Sequence, residues 1–201
     1  MRIIRTHVIN NIVNKYHFKR YLEIGVRLFD NFNKINIPYK VSVDPGDYAK
    51  YDYNVTSDEF FANNKETFDC IFLDGLHEGK QIYRDIKNAL KVLEPNGVII
   101  IHDVNAITRN HTIRESPSLA LGKGSFTGDV YQGFCKAKKE LKDWSCFSVN
   151  ITTGCGIITQ NPLLKNIQNA YKENMDWDYF NAHRTELLQL ISYSEYKELL
   201  K

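Results

Sequence analysis

Residues 68–103 read FDCIFLDGLHEGKQIYRDIKNALKVLEPNGVIIIHD and contain two apolar runs on either side of an amphipathic segment. The first run, Phe68–Leu73, stops at Asp74, which predicts a buried strand. The second run, residues 98–101, stops at His102 and predicts another strand. The apolar residues between them recur at helical spacing before a Pro-Asn-Gly stop: Ile82, Ile86, Leu90 and Leu93. A helix between two such strands predicts parallel neighbours joined by a crossover connection.

The rest of the chain repeats this alternation, which predicts a doubly wound, Rossmann-like α/β sheet, mostly parallel, with helices on both faces. Further strands are predicted at residues 20–25, 39–43, 51–55, 144–151 and 156–159, the last two as a closing hairpin. Further helices are predicted at residues 4–17, 28–35, 129–141 and within 162–201, and a capping box at 56–59 opens one more. We expect a single domain over 1–201, with an N-terminal helix in 1–18, an active-site loop at 104–128 and a C-terminal helical extension at 162–201.

The composition and charge of the chain exclude several classes of protein. The chain has 201 residues, of which 43% are hydrophobic and 25% charged, and this is ordinary globular usage that argues against disorder. A formal net charge of +2 is too small to indicate a nucleic-acid or membrane partner. No apolar stretch is long enough to span a bilayer, and no secretory signal is apparent. The four cysteines show no CxxC spacing, so we expect reduced thiols in a cytoplasmic protein.

Acidic residues cluster at the predicted strand ends. Asp44, Asp74 and Asp103 each follow a strand, and Glu23 lies within the first one. Ligands of such sheets bind at the carboxyl ends of the strands, where an acid after the second strand can accept both hydroxyls of a ribose. Gly25 is the single glycine of the first strand-to-helix turn, whereas a pyrophosphate needs more glycines. The pattern therefore favours an adenosine without phosphates. A plain turn remains the alternative for both Gly25 and Asp44.

Four segments together resemble the successive motifs of class I S-adenosylmethionine-dependent methyltransferases, in the small O-methyltransferase-like branch. They are LEIGV at 22–26, VSVDP at 41–45, FDCIFLDGLH at 68–77 and EPNGVIIIHD at 94–103. Their combination, in order and at these spacings, is specific although no single motif is. The resemblance spans about residues 18–160 and implies about seven strands with an antiparallel last strand, and S-adenosylmethionine as the cofactor. The single glycine of the first motif departs from the richer family pattern.

The resemblance also implies roles for individual residues. Glu23 and Gly25 would contact the methionine end of the cofactor, and Asp44 the ribose. Ser57 or Asp58 would border the adenine, with simple helix capping as the alternative for both. Asp74 would face the sulfonium and the acceptor.

Methyl transfer to a hydroxyl needs positioning and a base that removes the proton. The candidate catalytic residues are Asp74, His77, His102 and Asp103. The loop at 104–128 is predicted to form a lid over the site and to select the acceptor. Its Arg109, Arg114 and Lys123 could bind an acidic acceptor, or they could simply be solvated.

A divalent cation is a further alternative that the sequence leaves open. Asp74, His102 and Asp103 are the candidate ligands, and a cation beside the acceptor would lower the pKa of its hydroxyl. Magnesium prefers oxygen ligands, while His102 suits manganese, nickel or zinc. We predict the metal-free mechanism, in which a histidine is the base and an aspartate orients it.

The hypothesis that the sequence favours is an S-adenosylmethionine-dependent methyltransferase acting on the hydroxyl of a sugar or small metabolite. The alternatives are an NAD-dependent oxidoreductase and a non-catalytic, methyltransferase-like binding protein. We expect a small-molecule or saccharide acceptor as the partner, and neither nucleic acid nor membrane. The oligomeric state stays open, with a homodimer among the alternatives.

Overall fold

One mixed sheet of seven strands runs through the residues that the computed structural model describes, 3–114 and 125–201. The strands are β1 (Arg20–Ile24), β2 (Tyr39–Val43), β3 (Phe68–Leu73), β4 (Leu93–His102), β5 (Ser145–Val149), β6 (Cys155–Thr159) and β7 (Leu190–Ile191). The helices in the described ranges are α1 (Arg5–Tyr16), α2 (Ser57–Asn63), α3 (Gly79–Ala89), α4 (Val130–Glu140), α5 (Trp177–Leu188) and α6 (Tyr193–Leu199).

The strand order is β2-β1-β3-β4-β6-β5-β7. Strands β1 to β4 pair in parallel, β6 is antiparallel to both β4 and β5, and β7 is parallel to β5. From β1 the chain passes first to β2 on one side and then to β3 on the other. The strand order therefore reverses between β1 and β3, which is where ligands bind in such sheets.

Helices cover both faces of the sheet because successive strand residues point to opposite sides. Ile71 and Leu73 of β3 pack with α2, α3, α4 and α5, whereas Cys70 and Phe72 pack with α1 and α6. Each face thus buries its own apolar cluster. The predicted fold class, a mostly parallel, doubly wound sheet with helices on both faces, is confirmed.

Several element boundaries differ from the prediction. Residues 51–55 form no strand, because Tyr53 makes only an isolated bridge to Val43 while the Asp52 carboxylate accepts hydrogen bonds from the backbone and hydroxyl of Ser42. The helix predicted at 28–35 is one 3-10 turn, Phe32–Lys34, since Arg27 and Phe29 adopt left-handed conformations (φ +53° and +62°).

The crossover helix and the antiparallel strand also differ in detail. Helix α3 ends at Ala89, and Leu93 begins β4, which is longer than predicted. A register shift there pairs Leu93 with Phe68 and Val98 with Cys70. Seven strands are present, but the antiparallel one is β6, and the last in chain order is the short β7. Strand β7 lies in the extension that was predicted to be helical throughout.

The predicted segments at the two ends and in the long loop are placed as follows. Helix α1 lies within 1–18, and α5 and α6 lie within 162–201. In the loop at 104–128 a 3-10 turn spans Arg109–Thr112, and residues 115–124, including Lys123, lie outside the described residues. All four cysteines are buried and free. None of the described helices is long and apolar enough to span a membrane.

Candidate active site

A cavity of about 680 Å³ opens at the carboxyl ends of β1, β2, β3 and β4, at the reversal of strand order. Of the residues predicted for the site, it is lined by Gly25, Asp44, Ser57, Asp58, Asp74, His77, His102 and Asp103. Its volume lies within the range of small-molecule sites. The fold therefore brings all but one of the predicted site residues to a single cavity.

Glu23 is the exception, because it is not among the described residues that line this cavity. Its buried carboxylate accepts hydrogen bonds from the Tyr21 hydroxyl (2.5 Å) and the Asn31 amide (3.0 Å). Burial raises the pKa of Glu23 to about 7, against the two hydrogen bonds that lower it. The structure thus places Glu23 in a buried polar network on the α1 face of the sheet.

Gly25 makes the tight turn after β1. Its φ is +86°, and its backbone N–H donates to the carbonyl of Val43 at 2.9 Å. A Cβ at this position would lie 2.2 Å from the carbonyl oxygen of Asp74. Glycine is therefore required both by the backbone conformation and by the close approach of the two chain segments. The alternative interpretation of Gly25, as the glycine of a tight turn, is confirmed. The same turn forms part of the cavity wall.

Asp44 is held rigidly at the end of β2. Its carboxylate oxygens accept hydrogen bonds from the backbone N–H groups of Arg27 and Gly46, both at 2.8 Å. The second of these bonds is the turn-forming interaction of an aspartate with its own backbone two residues on. Because each carboxylate oxygen can accept more than one hydrogen bond, Asp44 can still accept hydrogen bonds from a ligand.

Ser57 and Asp58 occupy the first turn of α2, but neither is its cap. Thr56 caps the helix, and its hydroxyl accepts from the backbone N–H of Glu59, as the capping box predicts. The side-chain amide of Gln81 lies 3.2 Å from the Ser57 hydroxyl and 3.3 Å from the Asp58 carboxylate. The capping interpretation therefore belongs to Thr56, and the two following side chains face the cavity.

The inner end of the cavity holds a compact cluster of two carboxylates and two imidazoles. Nδ1 of His102 lies 3.2 Å from Oδ1 of Asp74 and 3.2 Å from Oδ1 of Asp103. Nε2 of His77 lies 3.6 Å from Oδ1 of Asp74, and its Nδ1 lies 3.6 Å from Oδ2 of Asp103. Asp103 itself adopts a left-handed conformation with φ +60°. The four predicted catalytic residues are thus mutual neighbours.

The charges of this cluster determine its protonation. Burial would lower the pKa of His102, but the Asp74 and Asp103 carboxylates outweigh it and raise that pKa to about 10. Burial would raise the pKa of Asp74, but His102, His77 and Arg5 together hold it well below its usual range. For His77, the two carboxylates likewise outweigh burial and raise the pKa. His102 is therefore an imidazolium between two carboxylates at neutral pH.

Two residues of the site were not found from the sequence. Arg5, at the start of α1, places a guanidinium nitrogen 3.8 Å from Oδ2 of Asp74. Thr153, between β5 and β6, donates a hydrogen bond from its hydroxyl to Oδ1 of Asp103. Both come from segments distant in sequence from the strand ends, where no motif marks them.

The same cluster has the donor set of a cation site. One ligand atom from each of Asp74, His102 and Asp103 lies within 4.8 Å of the other two. Two carboxylates and one imidazole suit a divalent ion such as manganese better than a purely oxygen-preferring one. These residues fit a metal only if His102 gives up its proton, which the flanking carboxylates hold tightly.

Comparison with known proteins agrees with this architecture. Residues 46–104 match a family model described as a methyltransferase domain. That segment includes Asp74, His77, His102 and Asp103, whereas Gly25 and Asp44 precede it. No curated protein matches the chain.

Solved structures share the fold at low sequence identity. The SAH-bound methyltransferase PaMTH1 of Podospora anserina is 17% identical, with a TM-score of 0.55 and 77% of each chain covered. An O-methyltransferase of Bacillus cereus in complex with SAH is 15% identical, with a TM-score of 0.53, covering 78% of this chain and 82% of that one. The O-methyltransferase TomG of Streptomyces achromogenes, in complex with SAM, is 14% identical, with a TM-score of 0.53, covering 76% and 78%.

The sheet thus has the fold of these solved methyltransferase structures, and residues 46–104 are similar to a methyltransferase domain. At the level of the fold, the resemblance noted in the four sequence motifs agrees with these O-methyltransferase structures.

Proposed function

We propose that this protein is an S-adenosylmethionine-dependent methyltransferase of the cytoplasm that methylates a hydroxyl of a sugar or small metabolite. One observation carries the proposal: a single cavity has Asp44 at one end and the Asp74–His102–Asp103 cluster at the other. An acid at the first position suits a ribose, and a proton-handling cluster at the second suits an acceptor hydroxyl.

The cavity wall supports the placement of the cofactor. Asp44 would accept the ribose hydroxyls, and Ser57 and Asp58 would border the adenine. Leu28, Tyr48 and Leu76 are exposed apolar side chains in this wall, and an adenosine would cover such a surface. Gly25 and Asp74 would lie beside the methionine end of the cofactor, while Glu23 is held in the buried network with Tyr21 and Asn31. The chain over 1–201 would act as a single methyltransferase domain.

The protein's main contribution to the reaction is positioning. When bound, S-adenosylmethionine supplies a methyl group that is already electrophilic. The cluster residues hold the acceptor oxygen in line with that methyl and remove its proton as it attacks. The His102 imidazole and the Thr153 hydroxyl hold the carboxylates of Asp74 and Asp103 in place.

We assign the role of general base to His77. His102 is protonated at neutral pH, since its pKa is about 10, and it cannot accept a second proton. Asp74 is a weak base because its pKa is held low. His77 directs Nδ1 to the carbonyl oxygen of Phe126 at 2.7 Å, so Nε2, which lies 3.6 Å from Oδ1 of Asp74, is the atom that would accept the proton when the imidazole is neutral. Asp74 and Asp103 orient and stabilise the two imidazoles.

Binding and turnover test this function in sequence. Calorimetric titration is expected to show binding of S-adenosylhomocysteine and none of NAD. The turn after β1 places Val26, Arg27 and Leu28 where a pyrophosphate would need glycines. Incubation with methyl-labelled S-adenosylmethionine and hydroxylated acceptors then measures transfer. Binding of NAD in preference would favour the oxidoreductase, and cofactor binding without transfer to any acceptor would favour the non-catalytic protein.

A further inference from the structure

A second cavity, of about 540 Å³, adjoins the first. The two share Arg5, Asp30, His102, Ser125 and Thr153 in their walls. The second cavity therefore opens onto the same catalytic cluster, and Asp44 is not among its described lining residues. A molecule bound there would reach His102 without entering the space that the proposed function gives to the cofactor.

Polar side chains make up most of the described lining of the second cavity. Ile4 and Ile107 are its aliphatic members, and His102 and His111 supply the rings among its described lining residues. This described lining contains no Phe, Tyr or Trp ring on which a large aromatic acceptor would stack. The hydroxyls of Thr6 and Thr153 donate to Asn31 and Asp103, so their oxygens remain as hydrogen-bond acceptors for the hydroxyls of a ligand, and Thr108 adds a further hydroxyl.

Cationic side chains also outnumber acidic ones in this wall. Arg5 and Lys34 contribute positive charge, and His111 adds an imidazole, against the single carboxylate of Asp30. Lys34 forms no ion pair with any described residue. Neither arginine of the neighbouring loop takes this role: Arg109 lies 3.8 Å from Asp178, and the guanidinium of Arg114 lies over the Phe126 ring. Among the described residues that line this cavity, Lys34 is therefore the cation without an ion-pair partner in the described part of the chain.

We infer that the second cavity binds the methyl acceptor, and that this acceptor is a polyhydroxylated small molecule carrying an anionic group. This inference rests on the proposed function. The hydroxyl to be methylated would lie where the two cavities meet, beside Arg5, His102 and Thr153 and directed towards His77 in the first cavity, and the carboxylate or phosphate would lie farther out, with Lys34. A sugar acid and a sugar phosphate share this chemistry.

Three sugars that differ in charge provide the test. Glucuronate, glucose 6-phosphate and glucose are titrated into the protein with and without S-adenosylhomocysteine, and binding is followed by calorimetry. At least one anionic sugar is expected to bind more tightly than glucose. The preference between glucuronate and glucose 6-phosphate distinguishes carboxylate from phosphate.

Variants that remove one positive charge test which side chain causes the preference for an anionic sugar. Lys34→Gln is expected to weaken binding of the anionic sugar about fivefold, as for an exposed ion pair, and to leave glucose binding unchanged. Lys65→Gln is the matched control, because Lys65 is exposed and lies outside both cavities. Equal binding of charged and neutral sugars, no binding of either anion, or an anion preference that Lys34→Gln retains would each overturn the inference. Failure of S-adenosylhomocysteine to bind would instead overturn the proposed function.

Discussion

The imidazole of His77 stacks on the ring of Phe126, with centroids 5.6 Å apart and planes inclined by 16°. Its Nδ1 also lies 2.7 Å from the carbonyl oxygen of the same residue. Phe126 thus fixes both the plane and the tautomer of the proposed base. Gly128 completes this close packing, since a Cβ there would lie 1.8 Å from the carbonyl oxygen of His77.

Phe126→Leu is expected to lower kcat about tenfold while leaving cofactor affinity unchanged. The substitution keeps the backbone carbonyl but removes the ring that holds the imidazole in place, and misplacing a base costs rate rather than binding. Steady-state kinetics and a calorimetric titration with S-adenosylhomocysteine measure the two quantities. Phe18→Leu is the control, since Phe18 is also half-buried and stacks on Tyr16 away from the site. Equal kcat values for the two variants would contradict the positioning role.

The rate is expected to rise with pH through a midpoint above 6.5. A general base must be deprotonated, and the pKa of His77 is raised from its usual value by Asp74 and Asp103, against burial. His77→Gln should lower kcat at least about 100-fold and abolish this limb of the profile. A wild-type midpoint below 6.5, or a profile that the variant retains, would assign the proton to another group.

The elements that could be predicted from the sequence are those with a strong local pattern. Two runs are apolar and are followed by polar residues that include an aspartate: Phe68–Leu73 and residues 98–101. Both strands, and the edge of the sheet at which they end, could therefore be predicted. The residues at 51–55 have the composition of a strand, but the Asp52 carboxylate accepts from the backbone N–H of Ser42, which a longer strand pairing would use. Strand β7 has only two residues and is defined by its pairing with β5, so no local pattern in the sequence predicts it.

Some residues of the candidate site could be predicted from the sequence and others could not. Asp44, Asp74 and Asp103 could be predicted because parallel strands bring their carboxyl ends to one edge. Arg5 and Thr153 could not, because they reach the cluster through tertiary packing from distant segments. The motif also could not predict which side of the sheet Glu23 faces, since a strand residue can face either side.

Asp44→Ala is expected to weaken S-adenosylhomocysteine binding roughly 10- to 100-fold. Losing charge-assisted hydrogen bonds to the ribose costs about 1.5–3 kcal/mol. Because the carboxylate also accepts from two backbone N–H groups, Asp44→Asn is made in parallel to keep part of that support. Asp47→Ala, at an exposed position of the same loop, is the control. Unchanged affinity in a correctly folded Asp44 variant would remove this residue from the cofactor site.

Excess chelator is expected to leave turnover unchanged. The two carboxylates that could ligate a cation are already paired with the His102 imidazolium, which a metal would have to deprotonate. Activity after chelation and dialysis, with and without added manganese or magnesium, measures this directly. Loss of turnover on chelation that is restored by one cation would establish the metal-assisted mechanism through Asp74, His102 and Asp103.

The stability of the fold should fall as the pH rises from about 6.5 towards 10. The pKa of His102 is about 10 in the folded protein against an ordinary value of 6.5, because Asp74 and Asp103 favour the charged imidazole. A raised pKa stabilises the fold fully below the unfolded value and loses that contribution as the pH approaches the folded value. His102→Gln removes this titration while keeping a side chain of similar size. Denaturant unfolding at several pH values should therefore show a wild-type advantage, on the order of a few kcal/mol at pH 6, that shrinks by pH 10. An advantage that is independent of pH over this range would mean that His102 is neutral in the folded protein, and the assignment of His77 as the base would lose its main support.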